Sequence, residues 1–159
     1  MWHLSPVNPF LIKDNFPMTY KFVDTLTEKQ IHQLVELYQK EFWSQRREYL
    51  DVVKMLKHSD IVLGLIDNNA ELIGFTRILT DFVYRATIYD VIIKSTYRNQ
   101  GLGAKLMDAI VHHPQLHQVE QIALYCLPEM MPFYQRWGFT TEVGNLNLMY
   151  RYHHSHQDK

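Results

Sequence analysis

The sequence predicts an α+β domain in which a central mixed β-sheet is flanked by about four helices. Three observations carry this. Apolar runs of strand length, such as IVLGLI (61–66) and TIYDVIIK (87–94), alternate with stretches whose apolar residues repeat at helical spacing. A turn signal, DNNA (67–70), joins two strand-like runs as a hairpin. A helical stretch then separates TIYDVIIK from another strand-like run, QIALYC (121–126), which requires a parallel crossover.

The elements follow in order. Residues 1–19, with prolines at 6, 9 and 17, read as an irregular extension. YKFV (20–23) is a short strand. Thr27 stands three residues before Gln30, a capping-box spacing, and Ile31, Leu34, Val35 and Tyr38 then form one apolar helical face. A second helical face comes from Tyr49, Val52, Val53 and Leu56, with FWSQRRE (42–48) as the bend between the two. IVLGLI and ELIGFTRIL (71–79) flank the DNNA turn. TIYDVIIK, nearly all apolar, reads as a strand buried on both faces. Leu102, Leu106, Ala109 and Ile110 mark a helix that ends near His112, His113 and Pro114. QIALYC reads as another buried strand, and PEMMPFYQRW (128–137) as a short helix with Pro128 at its start and Gly138 as its cap. Alternation at Leu146, Leu148, Tyr150 and Tyr152 predicts a closing strand. That strand offers an edge through which a homodimer could form. One domain is expected over 20–152, followed by a disordered tail at 153–159.

Composition excludes several function classes. The chain has 159 residues, 47% hydrophobic and 21% charged, with a formal net charge of −1. No basic field is available to hold a phosphate backbone or an anionic lipid, so neither nucleic acid nor membrane is an expected partner. No apolar stretch reaches membrane-spanning length, and the amino terminus lacks the pattern of a secretory signal. A single cysteine, Cys126, fits a reducing compartment, and a cytoplasmic location is expected. Cys126 itself reads as a small buried hydrophobe. His153, His154 and His156 lie on the tail without supporting partners, and His112 and His113 suit a helix end, so no metal is expected.

The stretch YRNQGLGAKLMDAI (97–110) carries the functional signal. A dinucleotide fingerprint would need a third glycine where Leu106 stands, and no Gly-Lys-Ser/Thr occurs at P-loop spacing. What remains is Arg98, Asn99, Gln100, Gly101, Leu102, Gly103 and Ala104 between a strand and an amphipathic helix. Glycines there let main-chain N–H groups approach a pyrophosphate at a positively polarised helix start. The same spacing also reads as a tight strand-to-helix turn with Arg98 in solvent.

These residues resemble a known family. Arg98-x-x-Gly101-x-Gly103 after a strand is similar to the acetyl-CoA signature of the general N-acetyltransferase (GNAT) superfamily. Phe133-Tyr134-Gln135-Arg136-Trp137-Gly138-Phe139 is similar to a second segment of that family, and the element order over 20–152 agrees. The resemblance implies a GNAT acyl-CoA N-acyltransferase fold and an enzyme that moves acetyl from acetyl-CoA to a primary amine by direct transfer. A small-molecule acceptor is favoured, a protein or peptide amine is the alternative, and a catalytically silent acyl-CoA-binding module is the rival reading. It also implies that main-chain N–H groups of Arg98 to Ala104 cradle the pyrophosphate. The main chain of Val91, Ile92 and Ile93 would pair with the pantetheine arm, and the two central strands would splay to admit it. One departure is Leu127, where many members carry a cofactor-binding asparagine.

Acetyl transfer needs a neutral nucleophile, a polarised thioester carbonyl and a proton for the departing sulfur. Tyr134 is the candidate proton donor, since a phenol with pKa near ~10 is protonated at neutral pH; a packed aromatic is the plainer reading. Asp90 is the candidate catalytic carboxylate. Within TIYDVII it either orders a water that takes the amine proton or pairs with a lysine or arginine. Glu129 is a weaker candidate and better explained as a charge at a helix start. Trp43, Arg46 and Tyr49 are expected to wall the acceptor pocket, which the family builds from the first two helices.

Overall fold

The computed structural model describes residues 19–152, and the chain divides into two compact units after Leu124. The expected extension up to residue 18 and the tail with His153, His154 and His156 lie outside the described residues.

The first unit holds a five-stranded sheet in the order β1-β2-β3-β4-β5. Strands β1 (Tyr20–Val23), β2 (Ile61–Asp67), β3 (Leu72–Thr80) and β4 (Arg85–Ile93) pair antiparallel, and β5 (Gln121–Leu124) joins β4 in parallel. Helix α1 (Glu28–Lys40) starts with the expected capping box: Gln30 N–H donates to Thr27 Oγ1, and Thr27 N–H donates to Gln30 Oε1. Helix α2 (Tyr49–Lys57) follows, and α3 (Leu102–Val111) makes the crossover from β4 to β5. Sequence reading therefore located every one of these elements, the hairpin included.

The α1 and α2 faces pack on the sheet as one core of Leu34, Leu37, Tyr38, Val52, Ile66, Leu72, Phe75 and Ile92. Fully burying a side chain of this size is worth roughly 1.5–3 kcal/mol each. Helix α3 packs against β3 and β4 and buries Leu102, Leu106, Met107 and Ile110. Gly74 admits a close approach here, because a Cβ on it would meet Ile93 Cδ1 at 2.8 Å.

Three strand expectations require correction. β4 is buried at Ala86, Ile88 and Ile92 and only half-buried at most other positions, so it is not covered on both faces along its length. β5 ends at Leu124 and alternates between exposed and half-buried, so QIALYC is not a buried central strand. Its apolar letters satisfy a strand pattern, but α3 packs chiefly on β3 and β4. The segment Leu146–Tyr152 forms no strand, and its Leu146, Leu148, Tyr150 and Tyr152 are all exposed. Period-two alternation specifies a strand only where one face is buried and a partner supplies the ladder. The pairing edge expected for a second copy is accordingly not formed by this segment.

In the second unit a 3-10 turn (Pro128–Met130) leads into the short helix α4 (Met131–Gln135). Pro128 occupies the first turn as expected, and Gly138 closes the end with φ of +81° and its N–H on Gln135 O.

Candidate active site

The last pair of the parallel β4–β5 ladder is Ile88 with Leu124, yet β4 continues to Ile93 against β3. The main chain of Val91, Ile92 and Ile93 thus runs on beyond the last paired residue of β5. Along this stretch the β3–β4 register slips: Phe75 faces Ile92 and Arg77 faces Tyr89, so Thr76 lies opposite both Asp90 and Val91. That is a β-bulge, in which one residue of the longer strand is left out of the ladder. Asp90 sits in it with φ of +59°, a conformation that L side chains seldom take. Thr76 Oγ1 secures the adjoining turn of chain by donating to Tyr89 O at 3.0 Å.

Past Ile93 the chain makes a 3-10 turn (Ser95–Tyr97) and enters the glycine loop. Asn99 and Gly101 both have positive φ, +61° and +78°. Gly101 is the N-cap of α3 and supplies no side-chain cap, while Lys105 N–H donates to Gly101 O as the first helical bond. The N–H groups of Leu102, Gly103 and Ala104 therefore have no intrahelical acceptor. A Cβ built on Gly101 would have nothing within 4 Å, so the space beside its Cα is open. Together, a strand that outlasts its parallel partner, first-turn N–H groups without intrahelical acceptors and a helix start fit an extended arm ending in a pyrophosphate. Leu102 is buried and can contribute only its main chain. The Arg98 guanidinium acts as a strut: Nε donates to Ile93 O at 2.9 Å and Nη2 pairs with Glu41 Oε1, just past the end of α1. Gln100 Nε2 reaches back to Thr96 O.

The Asp90 carboxylate is 3% exposed and fully engaged. Arg47 grips it with two bonds, Nη1 to Oδ2 at 2.9 Å and Nη2 to Oδ1 at 3.2 Å. Arg77 Nε donates to Oδ2 at 2.7 Å and Tyr38 Oη donates to the same oxygen at 2.8 Å. Burial would raise the Asp90 carboxyl, but the hydrogen bonds and charges of Arg47 and then Arg77 outweigh it and hold it below the ordinary carboxylate range. Burial, then the Asp90 charge, pushes the Tyr38 phenol far up, so it remains a donor. Of the two readings open for Asp90 in the sequence, pairing with arginine is the one found.

Among the residues expected to wall the acceptor pocket, Trp43 joins this cluster. Arg47 lies 5.4 Å from its ring centroid and 4.2 Å from that of Tyr38. Tyr49 instead stacks on His32 at 4.3 Å, and Arg46 is exposed. Arg47, Arg77 and Tyr38 were not among the expected site residues. The available signal was Arg77, a lone charge inside the apolar run ELIGFTRIL.

Tyr134, in the second unit, has its ring edge-on to Phe133 and to Phe139 at 5.0 and 6.3 Å and is 8% exposed. Burial, then the nearby Cys126, pushes its phenol up to about 12. Cys126 is exposed, which corrects the expectation of a buried hydrophobe, and partial burial together with the Glu129 charge raises its thiol. A shallow hollow of about 340 Å³ lined by Thr19, Tyr20, Lys21, Asp67, Asn68 and Ala70 shares no residue with the β4 edge or the glycine loop.

The chain matches the acetyltransferase (GNAT) family over residues 28–139 and belongs to that family. The uncharacterized N-acetyltransferase ycf52 of Porphyra purpurea is 31% identical over 126 residues, covering 77% of this chain and 71% of its own. A ycf52-like N-acetyltransferase of Prochlorococcus marinus is 34% identical over 132 residues, covering 81% and 71%. A solved acetyltransferase of the GNAT family from Xanthomonas campestris superposes with a TM-score of 0.73 at 26% identity, covering 84% of this chain and 93% of that one. The fold is the GNAT acetyltransferase fold, and the chain is an acetyltransferase.

Proposed function

We propose that this chain transfers the acetyl group of acetyl-CoA directly to the primary amine of a small molecule held in the same complex. The observation that carries the reading is the β4 edge that outlasts β5 and leads through the Asp90 bulge to the glycine loop. Val91 to Ile93 offer main-chain partners to a pantetheine arm, and the N–H groups of Leu102, Gly103 and Ala104 hold its pyrophosphate. Acetyl-CoA supplies an acyl group on a sulfur that leaves more readily than an alkoxide or amide. The amine nitrogen forms the new C–N bond as the C–S bond breaks, Tyr134 gives its proton to the departing sulfur, and the amine proton goes to solvent. General acid catalysis of this kind contributes roughly 10²–10⁴ in rate.

Charge supports this acceptor class. Arg47 and Arg77 face a single carboxylate, so the cluster beside the bulge carries one net positive charge. It repels polyamines and lysine-rich tails and tolerates an amine with an anionic group. A relative named histone acetyltransferase TAP1 in Glycine max, 27% identical over 132 residues, makes a basic tail the competing acceptor. Acetyl-CoA is incubated with monoamines, amino acids, polyamines and a lysine-rich peptide, and both thiol release and acetylated product are measured. Preferred acetylation of the peptide or polyamines overturns the small-molecule acceptor. Saturable CoA binding without thiol release from any amine favours a silent binding module.

A further inference from the structure

We propose that Asp90 is a positioning residue: its carboxylate clamps the β4 bulge to the α1–α2 loop, and it does not take the proton of the acceptor amine. The inference rests on the reading of β4 as the strand that receives the acetyl donor, and adds to it a role for the one buried acid at the transfer point. Asp90 holds a backbone conformation that costs energy in any residue but glycine, and such conformations persist where surrounding contacts fix them. The contacts here come from three separate segments: Tyr38 from α1, Arg47 from the α1–α2 loop and Arg77 from β3. The Arg47 guanidinium itself lies over the rings of Tyr38 and Trp43. Breaking the carboxylate contacts therefore loosens the bulge and the loop together.

A base needs a lone pair within reach of its proton and a proton affinity near the working pH. Oδ2 accepts from Arg47, Arg77 and Tyr38, and Oδ1 accepts from Arg47, with the side chain 3% exposed. Two guanidiniums beside the carboxylate also lower its proton affinity. The same excess positive charge disfavours the protonated form of an amine brought next to the bulge, which helps supply the neutral nucleophile without a dedicated base.

The test compares wild type with Asp90→Asn, Arg47→Lys and Tyr38→Phe by amide hydrogen exchange and by the pH dependence of kcat/KM for acetyl transfer. Asp90→Asn is expected to speed exchange several-fold at both 88–93 and 41–48, with a smaller paired rise in the other two variants. Its turnover should fall about tenfold or more through misplacement of the reacting groups, with the ascending limb of the pH profile unmoved. Loss of that limb in Asp90→Asn overturns the proposal whatever exchange does, and so does wild-type exchange at either segment. If Asp90→Asn fails to fold, Arg47→Lys and Tyr38→Phe must show the paired rise or the proposal falls. A wild-type chain that releases no thiol refutes acetyl transfer instead, and exchange then decides the clamp alone.

Discussion

Ile88 and Leu124 form the last pair of the parallel ladder, and the main chain of Val91, Ile92 and Ile93 continues beyond them along β3. Bound CoA should protect the amides of Val91, Ile92 and Ile93 from hydrogen exchange while the β1–β2 ladder, Tyr20 to Val23 against Gly64 to Asp67, is unaffected. Equal protection at both ladders would mean general tightening rather than strand addition.

Gly101 caps α3 at φ of +78° with open space where a side chain would be. Gly101→Ala meets no clash, so its cost is backbone strain of about 1–2 kcal/mol, read from chemical unfolding. The added methyl stands on the side open to a ligand. CoA affinity, measured by titration calorimetry, should drop several-fold.

Tyr134→Phe should cut kcat tenfold or more and leave CoA affinity nearly unchanged, since only the hydroxyl is removed. With the phenol pushed up to about 12, activity should show no loss from its ionisation below pH ~10. Unchanged turnover in the variant would take Tyr134 out of the mechanism.

The neighbours Arg46 and Arg47 separate cleanly. Arg46 is exposed, and Arg46→Ala should alter stability by less than about 0.5 kcal/mol. Arg47→Ala removes two charged hydrogen bonds from a buried carboxylate and should cost about 2–3 kcal/mol, measured by urea denaturation.

Asp90 also makes an acid-side prediction. Its folded carboxyl is held below the unfolded value of ~3.9, so its contribution is complete above that value and is lost as pH falls through the lower folded value. The stability gap between wild type and Asp90→Asn should be constant above pH ~5 and close progressively below pH ~4. A gap that instead closed as pH rose from neutral would contradict the ion pairing.

Much of this molecule is readable in its sequence because local signals and burial agree. Thr27 and Gln30, the DNNA turn and the Leu102–Ile110 stripe each state a local preference that the packing endorses. Leu146–Tyr152 fails for the opposite reason: its alternation is intact, but pattern does not reveal whether a partner strand exists. The cluster around Asp90 was hidden by sequence distance, since Tyr38, Arg47 and Arg77 meet it from three segments. Tyr38 reads as plain core within its apolar stripe. Which of two adjacent arginines turns inward depends on the path of the α1–α2 loop, which no periodicity records.

The carboxylate at position 90 answers to three other stretches of chain at once, and that has an evolutionary consequence. Residues sharing one hydrogen-bond network change stability non-additively. A lineage that loses Arg47 or Arg77 alone leaves a buried charge short of a partner, and one that loses Asp90 alone leaves two guanidiniums facing each other. Substitutions at positions 38, 47, 77 and 90 are therefore expected to be tolerated together rather than singly.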